Sequence, residues 1–202
     1  KVETALLRTA MNITNSHLIE QTMLNLNRVA TLNRGFTAGP SDTFKCKDGW
    51  IYAMTIGQPL FVRWCRLMGN EDLAADPRFK DDLARGDNGE ALSEIMQKWC
   101  GGRTVAEALE LLEANRIPAG AVYTPQQALD DRHVNEAGFF HKMEFPGVPK
   151  PVPVVQEPVK LSRTPLTIRR RAPKLGEHTE QILQELGYAE ADIAKLKADR
   201  IV

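Results

Sequence analysis

The sequence predicts a protein of the mixed α/β class: a small α+β domain with a hairpin and packed helices, flanked by an N-terminal helix and a C-terminal helical tail. The hairpin is indicated by two β-prone runs, 42–47 and 50–56, that flank an Asp-Gly turn at 48–49. The packed helices are indicated by apolar residues that recur at helical spacing. Seven of the twelve prolines fall within residues 146–173, which separates the domain from the tail.

Residues 1–40 are predicted to form a helix followed by a glycine-containing loop. Leu7, Met11 and Leu18 fall on one face of this helix, which is in register from the first residue and is predicted to continue to about Val29. A helix that opens the chain leaves its first N–H groups without a designed cap. We therefore expect a fragment of a longer polypeptide; the alternative is a processed or trimmed N-terminus on a complete domain.

Residues 41–145 are predicted to form the small α+β domain. After the hairpin, Pro59 fits the first turn of a helix, and a second helix of the same apolar spacing ends at the glycine pair 101–102. Both helices are expected to bury one face in a common core. The positions on these faces are Phe61, Trp64, Cys65 and Met68 in the first helix and Leu92, Ile95, Met96 and Trp99 in the second.

A third helix of this domain begins after Thr104, whose hydroxyl and the Glu107 carboxylate have the spacing of a capping box. Its apolar face comprises Val105, Ala108, Leu109 and Leu112. Residues 118–123 are then predicted to be a short buried strand, and residues 125–129 a short helix.

Residues 146–173 are predicted to be a Pro-rich extended linker, because this density of prolines excludes helices and central strands. Residues 174–202 are predicted to form two small helices, the first capped with the help of His178. Gly187 has the position of a left-handed cap that ends the first helix, and Ala189 stands where a capping Ser or Asp would precede the second. The apolar face of the first helix comprises Ile182, Leu183 and Leu186.

Composition excludes several classes of function. The chain is 43% hydrophobic and 26% charged, as in ordinary globular proteins, so disordered and fibrous classes are excluded. Lys plus Arg (26) equals Asp plus Glu (26), so no net charge attracts nucleic acid or a membrane, and no apolar run approaches the ~20 residues that cross a bilayer. The three cysteines lack CxxC spacing and predict reduced, buried thiols in a cytoplasmic protein. The four histidines lack the spacing of metal ligands, so no metal site is expected.

Two loops carry the candidate substrate-binding residues. Gly35, Gly39 and Pro40 precede the hairpin, where glycines let a ligand approach the backbone closely; the alternative is a helix cap followed by a turn. Gly57 and Gln58 end the second hairpin strand and open a helix. Backbone N–H groups at such a junction can face an anion or a carbonyl, although a plain strand-to-helix turn has the same pattern.

Four segments, taken in order and spacing, carry a family resemblance: Lys-Cys-Lys-Asp-Gly at 45–49, Arg-Ile-Pro-Ala-Gly-Ala-Val at 116–122, Asp-Asp-Arg-His at 130–133 and Leu-Gly-Glu-His-Thr at 175–179. Together they resemble the C-terminal portion of the class III coenzyme A transferases, the formyl-CoA/carnitine-CoA transferase (CaiB/BaiF-like) family. In this family a glycine-rich loop that precedes the first hairpin covers the reactive thioester, and Gly39-Pro40 match that placement.

The resemblance implies a CoA transferase that moves coenzyme A from an acyl-CoA thioester to a small carboxylic acid through an aspartyl-CoA intermediate. The CoA thioester would be a substrate, with no covalently bound cofactor. The catalytic aspartate would lie in a Rossmann-like large domain that also includes the N-terminal helix and the C-terminal tail. No catalytic residue is therefore assigned within this chain, which is expected to be inactive in isolation. The resemblance also implies an interlocked homodimer formed together with the missing N-terminal segment.

Two alternatives stay open. One is an α-methylacyl-CoA racemase. These related enzymes use a glutamate as acid/base at the position of Gln58, and Gln58 argues against racemisation because an amide cannot take up a proton at neutral pH. The other alternative is a non-catalytic dimerisation or binding module.

A basic stretch near the C-terminus is typical of a solvated surface, with the phosphates of coenzyme A or a polyanion as alternative contacts. It comprises Lys160, Arg163, Arg169, Arg170, Arg171 and Lys174.

Overall fold

A computed structural model of the chain describes residues 2–202, so Lys1, where the predicted N-terminal helix starts, lies outside the described residues. Helices and two small antiparallel sheets make up the fold, and the predicted α/β class is confirmed. The residues up to Tyr123 form one compact unit, and Thr124–Val202 form a second.

The first unit combines helices with one antiparallel sheet of strand order β1-β2-β3. Its strands are β1 (Ser41–Lys45), β2 (Trp50–Met54) and β3 (Ala119–Ala121). Its helices are α1 (Leu6–Ile13), α2 (Asn15–Leu24), α3 (Gln58–Leu67), α4 (Asp82–Asp87), α5 (Gly89–Gly101) and α6 (Val105–Ala114). Two 3-10 turns, Glu71–Ala75 and Pro77–Phe79, lie between α3 and α4.

The prediction of one continuous N-terminal helix to Val29 is wrong. Helix α1 begins only at Leu6 and stops at Thr14, a β-branched residue whose Oγ1 donates to the carbonyl of Ala10 at 2.9 Å. Helix α2 then ends at Asn25, which takes the left-handed conformation at φ 51°. The apolar face predicted for this region is exposed: Leu7 is 72% and Met11 50% accessible.

The hairpin prediction is confirmed. Strands β1 and β2 pair in antiparallel register from Ser41 opposite Met54 to Lys45 opposite Trp50. A residue outside the hairpin stabilises the turn, because Asp48 Oδ1 accepts a hydrogen bond from the N–H of Val105 at 2.8 Å. The hairpin turn is therefore tied to the first residue of α6.

The strand predicted at 118–123 forms as β3, but the prediction that it is buried is wrong. Strand β3 is three residues long and pairs only with β2, which makes it an edge of the sheet. Ala119 and Gly120 are exposed and Ala121 is partly buried. An edge strand has no second neighbour to cover it, so its small side chains remain accessible.

The core of the first unit confirms the three predicted helical faces. Inward-facing sheet residues pack against α3, α5 and α6, and the capping box of α6 forms with both bonds, Glu107 N to Thr104 Oγ1 at 3.2 Å and Thr104 N to Glu107 Oε2 at 2.8 Å. The fully buried positions include Phe44 and Ile51 of the sheet, Phe61, Trp64 and Cys65 of α3, Leu92 and Met96 of α5, and Ala108 and Leu112 of α6.

The second unit contains short helices and a two-stranded sheet. The helices are α7 (Pro125–Asp130), which confirms the helix predicted at 125–129, α8 (Arg132–Glu136), α9 (Thr179–Glu185) and α10 (Glu190–Ala198). The sheet pairs β4 (Phe140–Met143) with β5 (Val152–Val155), an element that the sequence does not predict. Residues 146–173 contain no helix, as expected, and Pro153 lies in a strand with a single neighbour.

The cap predicted at the end of α9 is confirmed. Gly187 has φ +89°, its N–H donates to the carbonyl of Gln184 at 2.9 Å, and the N–H of Tyr188 donates to the carbonyl of Leu183 at 3.0 Å. His178 occupies the N-cap position of α9, but its side chain makes no capping hydrogen bond, so the role predicted for its ring is wrong.

The loop before α9 is held by an ion pair. Arg171 Nη1 donates to Glu177 Oε2 at 2.8 Å, and the N–H of Lys174 donates to the same oxygen at 2.7 Å. These contacts, the Arg171 bond first, lower the pKa of Glu177 to about 2.

Candidate functional site

The turn between β2 and α3 contains Gly57 and Gln58. Gly57 has φ +82°, a conformation that favours glycine, and forms the N-cap of α3. Its N–H donates to both carboxylate oxygens of Asp82, at 3.0 and 2.9 Å. The backbone donor that the sequence offers to a ligand is thus bound to a carboxylate of the protein itself.

A buried arginine organises this turn. The side chain of Arg85 is 1% exposed, and its Nε donates to the carbonyl of Phe79 at 2.8 Å. Its Nη1 donates to Asp82 Oδ1 at 2.8 Å and its Nη2 donates to Gln58 Oε1. The guanidinium carbon lies 4.1 Å from the ring centroid of Phe61. A buried charge is tolerated only when it is paired and hydrogen-bonded, and each nitrogen of this guanidinium has a partner.

The loop with Gly35, Gly39 and Pro40 packs against the same arginine. A Cβ at Gly39 would lie 2.8 Å from the carbonyl oxygen of Arg85, so the two backbones meet at a distance that only glycine allows. The carbonyl of Pro40 accepts a hydrogen bond from the N–H of Thr55 at 2.9 Å. Gly39 and Pro40 are buried, and the last part of the loop is a packed segment.

The first part of this loop is held by a second arginine. Arg28 Nη1 donates to the carbonyl of Phe36 at 3.2 Å, and its guanidinium lies 4.6 Å from the Phe36 ring centroid. Arg28 also forms two hydrogen bonds with the Glu20 carboxylate, at 2.6 and 2.9 Å, which lower the pKa of that carboxyl group. From the other side, Gly86 of α4 meets Phe36 so closely that a Cβ would lie 2.1 Å from its carbonyl oxygen.

The structure therefore brings four of the five candidate residues to one place. Gly39 and Pro40 contact the backbone of Arg85 and the end of β2, and Gly57 and Gln58 bind Asp82 and the Arg85 side chain. Gly35 lies at the far end of its loop, where its N–H donates to the carbonyl of Ser41 at 2.7 Å.

Sequence reasoning missed Arg85, the residue that joins the two loops. The available signal was an Asp82–Arg85 pair at i, i+3, a spacing that is typical of exposed helix surfaces as well. Burial of the Arg85 side chain depends on contacts outside its helix, such as Phe61 of α3, which is distant in sequence. Thr55, next to this junction, has a buried hydroxyl for which residues 2–202 supply no hydrogen-bond partner.

A separate groove of about 770 Å³ lies between residues 30–34, β1 and α5. Its polar lining is largely paired within the protein: Ser93 Oγ donates to Asp42 Oδ2 at 3.3 Å, and Asn33 Nδ2 donates to Thr43 Oγ1 at 3.2 Å. None of the five candidate residues lines it.

The cysteines are free and buried, as predicted. Burial raises the pKa of Cys65 to about 11 and that of Cys100 to about 12, so neither thiol is a nucleophile at neutral pH. In the described part of the chain, no three His, Cys, Asp or Glu side chains are grouped to hold a metal ion. Within residues 2–202 no helix has the length and apolar character needed to cross a membrane.

Comparison with known proteins assigns the sequence to a family. The model of CoA-transferase family III matches residues 1–179. The β subunit of succinyl-CoA–L-malate CoA-transferase from Chloroflexus aurantiacus is 32% identical over 167 residues, which cover 82% of this chain and 41% of that protein. The formyl-CoA:oxalate CoA-transferase of Rhodopseudomonas palustris is 30% identical over 165 residues, which cover 78% of this chain and 38% of that protein. The chain spans about two fifths of the length of these relatives.

Solved structures show the same fold. Rv3272 from Mycobacterium tuberculosis superposes with a TM-score of 0.65 at 24% identity, over 88% of this chain and 46% of that one. A CaiB/BaiF family protein from Brucella suis superposes with a TM-score of 0.64 at 23% identity, over 87% of this chain and 45% of that one.

Proposed function

Because the chain belongs to CoA-transferase family III, we propose that a protein containing it transfers coenzyme A from an acyl-CoA thioester to a small carboxylic acid. The observation that carries this proposal is the family match across residues 1–179. It is supported by relatives named for CoA transfer from succinyl-CoA to L-malate and from formyl-CoA to oxalate.

The proposed reaction proceeds through an aspartyl-CoA intermediate. An aspartate carboxylate attacks the acyl-CoA carbonyl, which gives a mixed anhydride and the CoA thiolate; the thiolate then attacks the aspartyl carbonyl and releases the first acid. The acceptor carboxylate repeats these steps in reverse order and leaves as the new thioester. Asp82 is unsuited to be this nucleophile, because its carboxylate is engaged by Gly57 and Arg85. We propose that the nucleophile lies in the part of the protein outside this chain, and no residue here is assigned a catalytic role.

The proposed contribution of this chain is a substrate-facing wall with the exposed Gln58 at its surface, backed by Gly57 and by the loop residues Gly35, Gly39 and Pro40. What supports this role is the convergence of the last four at Arg85, which fixes both loops in one arrangement. A rigid wall positions a substrate at low entropic cost, which is where enzymes gain much of their rate. The CoA thioester is a substrate in this scheme, and no bound cofactor or metal is invoked.

The proposed assembly is a cytoplasmic homodimer whose interlocked chains each contain a Rossmann-like large domain. In this scheme residues 1–40 link that domain to the small domain at 41–145, residues 146–173 form the linker, and 174–202 return to the large domain. Exposed apolar side chains near both ends of the chain support the proposal that the large domain covers these surfaces. They include Leu6, Leu7 and Met23 in α1 and α2, and Ile182 and Leu186 at α9.

The test uses the full gene product that contains this chain. It is incubated with succinyl-CoA or formyl-CoA and with L-malate, D-citramalate, mesaconate or oxalate, and new thioesters are separated by chromatography and weighed by mass spectrometry. We expect one acceptor to yield its CoA thioester, and hydroxylamine to trap an aspartyl hydroxamate on a residue outside 1–202. Failure of every donor–acceptor pair would contradict the proposal, and turnover by residues 1–202 alone would contradict the location of the nucleophile.

Two alternative functions predict different measurements. Racemisation predicts exchange of the α-proton of a 2-methylacyl-CoA into deuterated water, and Gln58 argues against it because its amide is not a proton acceptor. A non-catalytic module predicts that residues 1–202 are stable and monodisperse in analytical ultracentrifugation. The proposed assembly instead predicts self-association of the isolated chain through its exposed apolar side chains.

A further inference from the structure

The side-chain amide of Gln58 has one possible orientation. Arginine only donates hydrogen bonds, so the Gln58 atom that contacts Arg85 Nη2 must be the carbonyl oxygen Oε1. The amide nitrogen Nε2, with its two N–H groups, therefore points away from the guanidinium. The structure records no hydrogen bond from Nε2 within residues 2–202, and Gln58 as a residue is exposed. Its donors are free to meet a ligand.

The same contact strengthens these donors. A charged hydrogen bond to the amide oxygen draws electron density from the nitrogen, so that the N–H groups become more positive. Water screens this contact little at its arginine end, because the Arg85 side chain is 1% exposed. Phe79 and Asp82 fix the other guanidinium nitrogens, so the amide is oriented before any ligand arrives.

The surroundings of the amide select the ligand chemistry. The N–H of Gly57 is already bound to Asp82, whereas the side-chain amide of Gln58 is exposed and can donate to a ligand. Ile56, two residues earlier, is 51% exposed and offers an apolar contact. The charge of Asp82 is balanced by Arg85 at 2.8 Å, so it does not repel an anion. An acceptor oxygen attached to a short carbon chain fits these groups.

We infer that Gln58 recognises an acceptor oxygen of the acyl group that is transferred, and that Arg85 is the positioning residue that orients its amide. This inference rests on the proposed CoA transfer and gives Gln58 a defined role within it. The oxygen has two sources, the carboxylate of the acceptor acid and the carbonyl of the CoA thioester. Both present the same hydrogen-bond acceptor to Nε2.

Gln58→Glu tests the donor directly in the full gene product. The carboxylate retains a hydrogen bond to Arg85, so the fold is expected to be kept, but at neutral pH it has no N–H to donate. We expect KM to rise about tenfold for the substrate whose oxygen is recognised, the loss of one hydrogen bond. Gln58→Met removes the amide without adding charge and is expected to raise the same KM. Gln184→Glu places the same new charge on exposed α9 and should change neither KM.

The two sources are distinguished by which KM changes. A rise confined to the acid assigns the carboxylate, and a rise confined to succinyl-CoA or formyl-CoA assigns the thioester carbonyl. Equal KM values in the parent, Gln58→Glu and Gln58→Met would overturn the inference. So would an effect of Gln184→Glu as large as that of Gln58→Glu.

A second measurement does not depend on turnover. In protein labelled with ¹⁵N glutamine, the side-chain signal of Gln58 is the one that Gln58→Glu removes. We expect oxalate, L-malate or succinyl-CoA to shift it, and expect the shift to be lost in Arg85→Lys if that variant folds. If the parent transfers no CoA, the proposed function fails while this signal still tests Gln58. A signal that none of these probes moves would overturn the inference.

Discussion

Gly86→Ala tests whether the loop at 35–40 is fixed against α4. Gly86 lies within a helix and its φ is not positive, so alanine would ordinarily stabilise this position by about 1 kcal/mol. The added Cβ, however, would lie 2.1 Å from the carbonyl oxygen of Phe36, and both atoms that collide belong to rigid backbone. The loop must retreat by about 1 Å to reach an ordinary contact distance.

The retreat carries a definite cost. It breaks the 3.2 Å hydrogen bond from Arg28 Nη1 to Phe36, a charged contact worth about 1.5–3 kcal/mol, and strains a packed segment by about 1–3 kcal/mol. These costs exceed the gain in helix propensity, so we expect Gly86→Ala to lower the free energy of unfolding by about 2 kcal/mol or more. Urea denaturation followed by circular dichroism measures this change.

Gly101→Ala is the matched control. Gly101 is the last residue of α5 and its φ is likewise not positive, but its new Cβ would meet only the Gln97 side chain, at 3.8 Å. We expect this variant to be neutral or more stable by up to about 1 kcal/mol. If the two variants had equal stability, the close packing of Phe36 on α4, and with it the fixed loop, would be refuted.

Three further outcomes follow from the structure. Ala189→Asp should raise the stability of the chain to urea by about 1 kcal/mol, because α10 begins without a side-chain cap; no gain would show that its first N–H groups are already satisfied. Arg171 depresses the pKa of Glu177 from 4.5 to about 2, so the stability of the parent relative to Glu177→Gln should be fully present above pH 4.5 and be lost as the pH falls through about 2. A difference that does not vary over this range would contradict the ion pair. Cys65 and Cys100, with pKa values of about 11 and 12, should resist maleimide at neutral pH and react only in urea, and labelling of the folded chain detected by mass would contradict their burial.

Elements with strong local signals could be predicted from the sequence. The hairpin follows from its Asp-Gly turn, and α3, α5 and α6 follow from apolar residues at helical spacing. The cap at Gly187 formed as expected because it depends only on residues within a few positions of it. In each case the decisive interactions are local, so the sequence contains the information directly.

The features that could not be predicted depend on partners that are distant in sequence, or have no clear signal in the local sequence. The break between α1 and α2 at Thr14 has no signal in the apolar periodicity, and Thr9 and Thr22 make the same side-chain bond as Thr14 without a break. Strand β4 is four residues long, with only Phe140 and Met143 apolar, and it forms because β5 follows it in sequence and pairs with it. The candidate loops were found from their glycines, but the residue that joins them was not. Burial of Arg85 emerges only in the fold, where the Phe61 ring packs on its guanidinium and the Phe79 carbonyl accepts from its Nε.

Arg85 reaches one loop with its side chain and the other with its backbone carbonyl. The separation between Gly39 and Gln58 is consequently set by a single amino acid that contacts both loops. Lengthening or shortening either loop would displace the second as well. Engineering of acyl-group preference at this surface should therefore change the two loops as a pair and leave the arginine in place.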